Sequence, residues 1–309
     1  MRAAGGKVSS RWSAEAYARR LELEVRKRRH DDRIERRSPM RFLATMHWVE
    51  KILRISRMHA LGHRRFLDPV CEENHVRLPG LPASFEGFRI LHLSDLHFDL
   101  EPELFNVVRS KLSGLSFDAC LMSGDFRDRL SEYGDVGVRL CAELASGLGV
   151  PVFACLGNHD RAADLPVLEG AGIRVLVNES AFIERGQERL YVAGVDDSGY
   201  YKTDDFDAAF SGIPAGACSV VMCHDPAGWP KAAEKGAAFM LSGHTHGGQI
   251  CLPGGFAPLT HSDCPRQLVA GAWARGPLVG YTSRGTGGSR IAARFFCPGE
   301  IVVHTLSSS

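Results

Sequence analysis

Five short apolar runs constrain this chain most strongly, because each ends at a small residue that is followed by His, Asp or Asn. The runs lead into the segments SDLH, SGD, GNHD, HDP and GHTHGGQ, which begin at Ser94, Ser123, Gly157, His224 and Gly243. Short β-rich runs separated by Gly, Pro and Asp predict strands. Ligands of open α/β sheets bind beyond the carboxyl ends of the strands, so we expect the five loops to converge on one crevice.

The side chains at these loops are oxygen and imidazole donors. They are Asp95, His97, Asp125, Asn158, His224, His244 and His246. Such hard donors suit Mn, Fe, Zn or Mg better than they suit a structural cysteine zinc site. Seven donors are too many for one ion, and they fit two ions about 3.5–4 Å apart that share a bridging carboxylate. The sequence therefore predicts a hydrolytic site with two metal ions.

Each loop also has an ordinary structural interpretation when it is taken alone. An Asp before a helix is usually a cap, and a single buried His is usually a hydrogen-bonded core residue. Capping gives no reason for five strand ends to carry donors together, so we favour the metal site. His92 stands one strand position earlier and is interpreted as structural, while His261 and His304 receive no role.

The five segments resemble the motifs of the calcineurin-like metallophosphoesterases, which are DxH, GDxxD, GNH[DE], a lone His and GHxH. They stand here at residues 95–97, 124–128, 157–160, 224 and 243–246. The longer segment GHTHGGQI and the pair Cys297-Pro298 resemble motifs of a bacterial branch of small phosphodiesterases. That branch includes a UDP-2,3-diacylglucosamine pyrophosphatase. The resemblance implies an α/β fold, a four-layer αββα sandwich of two mixed sheets.

The resemblance also implies a role for each donor. One ion would be held by Asp95, His97 and His246, the other by Asn158, His224 and His244, and Asp125 would bridge them. His159 would donate to the phosphate or to the leaving oxygen, and Asp128 would orient it. An imidazole beside a phosphate acts as an acid only if a carboxylate favours its protonated form, which agrees with this division of roles.

The expected reaction is hydrolysis of a phosphodiester or pyrophosphate bond by attack of a metal-bridging hydroxide, because two divalent ions lower the pKa of a bridging water. We expect Mn²⁺, with Fe, Zn and Mg as alternatives. The bacterial branch implies that a lipid-linked substrate such as UDP-2,3-diacylglucosamine is one candidate. The candidate phosphate-binding residues are Arg127, Arg129 and Arg284.

Charge is divided sharply along the chain. Residues 1–66 hold 18 Lys and Arg against 7 Asp and Glu, although the whole chain carries a net charge of only +1. We therefore divide the chain into a basic, amphipathic helical extension, residues 1–66, and a metallophosphoesterase domain, residues 67–309. A helix is predicted over residues 11–29. The residues of its apolar side are Trp12, Tyr17, Leu21 and Val25. We expect the extension to be dispensable for hydrolysis of a small soluble diester.

Residues 41–58 form a second amphipathic helix in this interpretation. Phe42, Met46, Val49 and Leu53 recur at helical spacing, and Arg41, Lys51, Arg54 and Arg57 flank them. Such a helix can lie on an anionic membrane or pack on the protein's own body, and the pattern supports both equally. Nine cysteines without a CxxC pair indicate a reducing compartment. We expect a cytoplasmic protein, or one peripheral on the inner membrane face, without an obligate protein partner.

Two other classes of function remain open at this stage. The basic extension would also suit a nuclease that holds nucleic acid, although no aromatic platform interleaves its charges. A non-catalytic binding scaffold is the weaker alternative, because the full donor set and His159 are present. Residues 252–273 and 290–297 are expected to line the entrance. Their aromatic side chains, available for an apolar group or for the core, are Phe256, Trp273, Phe295 and Phe296.

Overall fold

The computed structural model describes residues 11–36, 58–260 and 262–308. Its helices are α1 (Ala14–Arg36), α2 (Met58–Phe66), α3 (Glu103–Leu112), α4 (Asp135–Ser146), α5 (Leu165–Gly170), α6 (Phe206–Phe210) and α7 (Trp229–Glu234). Its strands are β1 (Val70–Arg77), β2 (Arg89–Leu93), β3 (Ala119–Met122), β4 (Val152–Ala154), β5 (Ile173–Val175), β6 (Glu179–Arg185), β7 (Glu188–Gly194), β8 (Ser219–Met222), β9 (Phe239–Ser242), β10 (Gly271–Arg275), β11 (Leu278–Thr282) and β12 (Glu300–Ser307).

The strands form two mixed sheets of six strands each. One sheet has the order β1-β12-β2-β3-β4-β5 and the other the order β10-β11-β9-β8-β7-β6. In the first sheet only the β12–β2 pair is antiparallel, and in the second only the two edge pairs, β10–β11 and β6–β7, are. The central strands of both sheets are therefore parallel, and their carboxyl ends lie at one edge.

Alternating side chains of the strands divide the core into layers. Ile90 and Leu121 of the first sheet pack against Val220 and Leu241 of the second. Leu91, between Ile90 and His92 in sequence, points the other way and packs with the helical residues of α3, α4 and α5. Successive strand residues point to opposite faces, so a strand buried on both sides reads as a continuous apolar run. Helices α6 and α7 cover the outer face of the second sheet. The predicted four-layer αββα sandwich is confirmed.

The first helix is longer than the predicted 11–29 segment and packs by a different face. Leu21 and Val25 are 38% and 49% exposed, whereas Trp12 and three polar side chains are buried against the sandwich. Those polar residues are Arg20, Glu24 and Lys27. The apolar side expected from the spacing was therefore partly wrong, because the surface that receives α1 presents carboxylates and carbonyls.

The segment before the sandwich also packs on it. Phe66, at the end of α2, is fully buried in the core beneath the first sheet, although the sequence assigned it to the extension. Most of the amphipathic segment 41–58 lies outside the described residues, so its membrane contact stays a prediction. Within the described ranges, no helix combines the length and the apolarity needed to cross a membrane.

Candidate metal centre

Backbone conformation distinguishes the strand ends that carry the predicted donors. Asp95, His97, Asp125, His244 and His246 all have positive φ, between 41° and 69°. Residues with a side chain rarely adopt this left-handed region, which costs on the order of 1–3 kcal/mol per residue and is concentrated at functional sites. The surrounding structure therefore holds five of the seven donors in strained conformations.

The glycines of the motifs allow the loops to approach one another. A Cβ atom at Gly157 would overlap Oδ1 of Asp125, and one at Gly243 would overlap Oδ2 of Asp95. The donors of one loop thus occupy the space that a side chain on the next loop would need. This contact explains why glycine precedes the donor in GNHD and in GHTH.

Asp160 ties two of these loops together. Its Oδ2 accepts hydrogen bonds from the backbone N–H groups of Asp125 and Gly157, at 2.8 and 2.7 Å, and its Oδ1 accepts one from Phe126 at 2.8 Å. Burial, together with the nearby Asp125 carboxylate, raises the pKa of Asp160 to about 7. No role was predicted for Asp160; the one available signal was its place as the last residue of the GNHD motif.

One cluster of donors comprises Asp95, His97 and His246, whose candidate ligand atoms all lie within 4.8 Å of one another. Nε2 of His246 is 3.4 Å from Oδ1 of Asp95, and Nε2 of His97 is 4.0 Å from the same oxygen. All three side chains are buried. These distances fit three ligands facing one ion.

A second cluster comprises Asp125, His224 and His244, again within 4.8 Å. Nε2 of His224 lies 3.2 Å from Oδ2 of Asp125, and Nε2 of His97, from the first cluster, lies 3.6 Å from that oxygen. Asp125 is thus shared between the clusters. Oδ1 of Asn158 lies 2.8 Å from Nδ1 of His244, so the amide joins the second cluster. All seven predicted donors meet at one place.

The chemistry of the cluster fits bound cations. Among the described residues, both ring nitrogens of His97 and Nε2 of His224 are buried without a hydrogen-bonding partner. Buried polar atoms are nearly always paired, so such nitrogens indicate an ion. The other nitrogen of His224, Nδ1, donates to the Ser123 carbonyl at 2.7 Å, which leaves the lone pair on Nε2, facing Asp125.

The ionisation of Asp125 also fits a bound cation. Burial alone would raise the pKa of Asp125, but His224, His159 and His97 hold that pKa well below its ordinary value. The carboxylate is therefore ionised in the form that binds metal.

His159 and Asp128 lie beside the first cluster. Nδ1 of His159 donates to the backbone carbonyl of Asp128 at 2.6 Å, and the His159 ring centroid is 5.1 Å from that of His97. The carboxylate of Asp128 accepts hydrogen bonds from Ser289 Oγ at 2.9 Å and from the Arg290 N–H at 3.1 Å. A carboxylate oxygen of Asp128, a nitrogen of His159 and a nitrogen of His97 lie within 4.8 Å of one another.

The three candidate phosphate-binding arginines have different surroundings. Arg127 is fully buried and donates to Asp164 at 2.8 Å and to Asp135 at 2.9 Å. Arg284 donates to Glu300 at 2.6 Å and to Glu72 at 2.8 Å. These contacts commit both guanidinium groups to carboxylates and disfavour a phosphate contact. Arg129 is exposed, and its contact with a phosphate stays a prediction.

The predicted entrance segments divide between core and surface. Trp273 and Phe295 are buried, whereas Phe256 and Phe296 are 55% and 50% exposed. Leu252, also exposed, pairs with Phe256 across a short hairpin. Only these exposed side chains are available to contact an apolar group.

Comparison with known proteins places the chain in a family. The sequence model for calcineurin-like phosphoesterases matches residues 88–248, about half of the chain. The phosphodiesterase YaeI of Escherichia coli (strain K12) is 30% identical over 233 residues, covering 70% of this chain and 81% of YaeI. The metallophosphoesterase YkuE of Bacillus subtilis (strain 168) is 26% identical over 266 residues, covering 80% of this chain and 90% of YkuE.

A third relative carries a more specific name. The UDP-2,3-diacylglucosamine pyrophosphatase LpxG of Chlamydia muridarum (strain MoPn / Nigg) is 25% identical over 292 residues, covering 74% of this chain and 86% of LpxG. The family match, the relatives and the clustered donors agree with one another. The chain therefore belongs to the calcineurin-like phosphoesterase family and is a metal-dependent hydrolase of phosphoric esters.

Proposed function

We propose that the protein hydrolyses a phosphodiester or pyrophosphate bond at a centre of two divalent metal ions. The observation that carries this proposal is the pair of three-residue clusters that share Asp125. Oδ2 of Asp125 lies 3.2 Å from a nitrogen of His224 in one cluster and 3.6 Å from a nitrogen of His97 in the other. Asp95, His97 and His246 would hold one ion, and Asn158, His224 and His244 would hold the other.

The bound ions would supply Lewis-acid stabilisation of the phosphoryl oxygens and a water of lowered pKa. The protein supplies the rest of the chemistry through His159. Its Nδ1–H is occupied by the Asp128 carbonyl, so Nε2 is the atom that would protonate the leaving oxygen. Burial and the Lys27 ammonium hold the pKa of His159 well below its ordinary value, and the carboxylates of Asp125 and Asp128 partly offset that shift by favouring the protonated imidazole.

The proposed metal is Mn²⁺, because the donor set mixes carboxylate, amide and imidazole without thiolate. Fe, Zn and Mg are the alternatives. Metal analysis of protein purified without chelator would decide among them. A single ion per chain would contradict the two-metal assignment.

The proposed substrate is a lipid-linked phosphate compound such as UDP-2,3-diacylglucosamine. The likeness to LpxG supports this substrate class. The exposed Leu252 and Phe256 support it too, since they belong to the segment after the donor His246 and offer apolar surface to a substrate. Contact of residues 41–58 with an anionic membrane, and a cytoplasmic position on its inner face, belong to the same proposal.

A substrate panel tests these assignments. The Mn²⁺-loaded protein is assayed on a phosphomonoester, a small phosphodiester, a UDP-sugar with and without acyl chains, and single-stranded DNA. We expect hydrolysis of the diester and faster turnover of the acylated UDP-sugar than of its acyl-free counterpart. Asp125→Asn is the matched control, since its loss of every activity assigns them to this centre. Preferred cleavage of DNA would instead favour a nuclease, and activity on monoesters alone would refute the proposal.

A further inference from the structure

The N-terminal helix α1 reaches the loop that carries a metal donor and the proposed acid. This loop, residues 157–162, is called the GNHD loop below. The ammonium group of Lys27 donates to the backbone carbonyl of Asn158, and Nη2 of Arg20 donates to the carbonyl of Asp160 at 2.8 Å. Oε1 of Glu24 accepts the N–H of Ala162 at 2.9 Å. Three side chains of one helix thus contact the GNHD loop along most of its length.

These three residues are anchored as well as buried. Arg20 has no solvent exposure, donates to the carboxylate of Asp196 and lies with its guanidinium carbon 4.1 Å from the ring centroid of Tyr201. Trp12 Nε1 donates to the same Asp196 carboxylate at 2.6 Å. The Lys27 ammonium lies 5.0 Å from the ring centroid of Tyr200. Helix α1 is therefore held on the sandwich by Arg20 and Lys27, and the chain just before it is held by Trp12.

The GNHD loop needs such support from outside the centre. On the side of the centre, the Asn158 amide contacts His244 and the backbone N–H of His159 donates to Asp125. The loop's carbonyls at Asn158 and Asp160 point the other way, toward α1. Groups behind a metal ligand set its orientation, and their loss typically costs 10–100-fold in metal affinity or activity.

We infer that α1 is part of the hydrolytic machinery, with Lys27 acting as a positioning residue that holds the Asn158 carbonyl and so aims the Asn158 amide at the metal centre. This inference rests on the proposed two-metal function. It departs from the expectation that the extension is dispensable for a small soluble substrate. Hydrolysis of such a substrate should instead require α1, because the contacts lie at the centre and not at an entrance.

The direction in which Lys27→Met changes the Mn²⁺ affinity distinguishes a positioning role of Lys27 from a purely electrostatic one. Lys27 brings a positive charge near two cations, so if it acted only through that charge, Lys27→Met would tighten metal binding. Positioning predicts the opposite. We expect Lys27→Met to weaken Mn²⁺ binding about 10-fold and to lower kcat about 10-fold, with KM for a small diester unchanged within about twofold.

Two further variants complete the metal titration. Lys27→Arg, which keeps a charged donor, should recover most of the affinity. Arg26→Met is the matched control, because the Arg26 side chain is 67% exposed and pairs only with Glu22 in the structure's described contacts. It should behave as the unmodified protein. Tighter or unchanged Mn²⁺ binding by Lys27→Met would overturn the inference.

Amide hydrogen exchange of the metal-free protein gives a readout that does not depend on the metal or on turnover. Lys27→Met should speed exchange at residues 157–162, and Arg26→Met should not. Unchanged exchange in Lys27→Met overturns the inference by itself. If the unmodified protein bound no Mn²⁺ and Lys27→Met still exchanged faster, the two-metal proposal would be refuted while the contact of α1 with the loop would stand. The two failures are therefore distinguishable.

Discussion

The carboxylate of Asp160 accepts the backbone N–H of Asp125, and the two residues come from loops 35 positions apart in the sequence. The Asp160 carboxylate is buried and belongs to neither donor cluster. It supports the backbone of Asp125, whose own carboxylate joins the two clusters. Since the same Asp160 oxygen also accepts the Gly157 N–H, it fixes the spacing of two loops at the centre. The shape of the site thus depends on a residue that contacts no proposed ion.

Replacing Asp160 should therefore destabilise the protein. In Asp160→Asn, an amide that bears N–H groups meets the N–H groups of Asp125, Gly157 and Phe126. Leaving one or two buried donors without an acceptor costs about 2–4 kcal/mol of unfolding free energy. Urea denaturation in chelator measures this loss. Glu143→Gln is the control, because its ion pair with Arg109 is exposed and should contribute less than about 1 kcal/mol.

Asp125→Asn should abolish both metal binding and hydrolysis. The substitution removes the negative charge that lies between the nitrogens of His224 and His97. Loss of a residue that only orients a metal ligand typically lowers metal affinity or activity 10–100-fold. Loss of the shared ligand itself should therefore reduce turnover by more than about 100-fold. Elemental analysis and a diester assay test this together. Two retained ions with full turnover would remove Asp125 from the metal centre.

His159→Ala should separate binding from catalysis. The imidazole is proposed to act as an acid, so its loss should lower kcat by about 10²–10⁴-fold. Metal content should stay the same, because the residue's N–H contact with Asp125 is made by the backbone and survives the substitution. If the variant lost metal in parallel with activity, His159 would be a ligand and not the acid.

Acid should destabilise the fold through His92. Burial between the sheets lowers the pKa of His92 from 6.5 to about 3, so the folded protein holds it neutral. The unfolded chain takes up a proton near pH 6.5, so the stabilising contribution is complete above that pH and is lost as pH falls toward 3. At pH 5 the loss from this group is about 2 kcal/mol.

Urea denaturation at pH 7.5 and at pH 5, in chelator, measures this dependence. His92→Gln should lose about 2 kcal/mol less than the unmodified protein between the two pH values, since glutamine does not titrate. His75, which is exposed on β1, provides the control position. His75→Gln should follow the unmodified protein. An equal pH dependence for His92→Gln would show that His92 is protonated in the folded state.

Much of the centre could be predicted because its signals are local. A run of apolar residues followed by a donor predicts a strand end with a ligand, and parallel strands bring such ends to one edge. His92 illustrates the same point, since its position one residue before the strand end was enough to interpret it as structural, and it lies buried beside Ser123 and His304.

Arg127 shows where local signals end. It is one of the candidate phosphate-binding residues of the sequence, but its guanidinium donates to Asp164 and Asp135, which come from later parts of the chain. Nothing in the spacing of a charged residue tells whether it meets a substrate or a carboxylate of the same protein.

The sequence by itself determined the donor types, the strand ends that carry them and the family to which the chain belongs, because these depend on short motifs and on the period of a strand. Only the tertiary structure decided which face of α1 is buried. Spacing favoured Leu21 and Val25, yet Arg20 is inside because the Asp196 carboxylate, 176 residues away, neutralises its charge and the Asp160 backbone carbonyl, 140 residues away, accepts a further hydrogen bond. Burial of a charge is stable only with such partners, and partners that distant are brought together only by the completed fold.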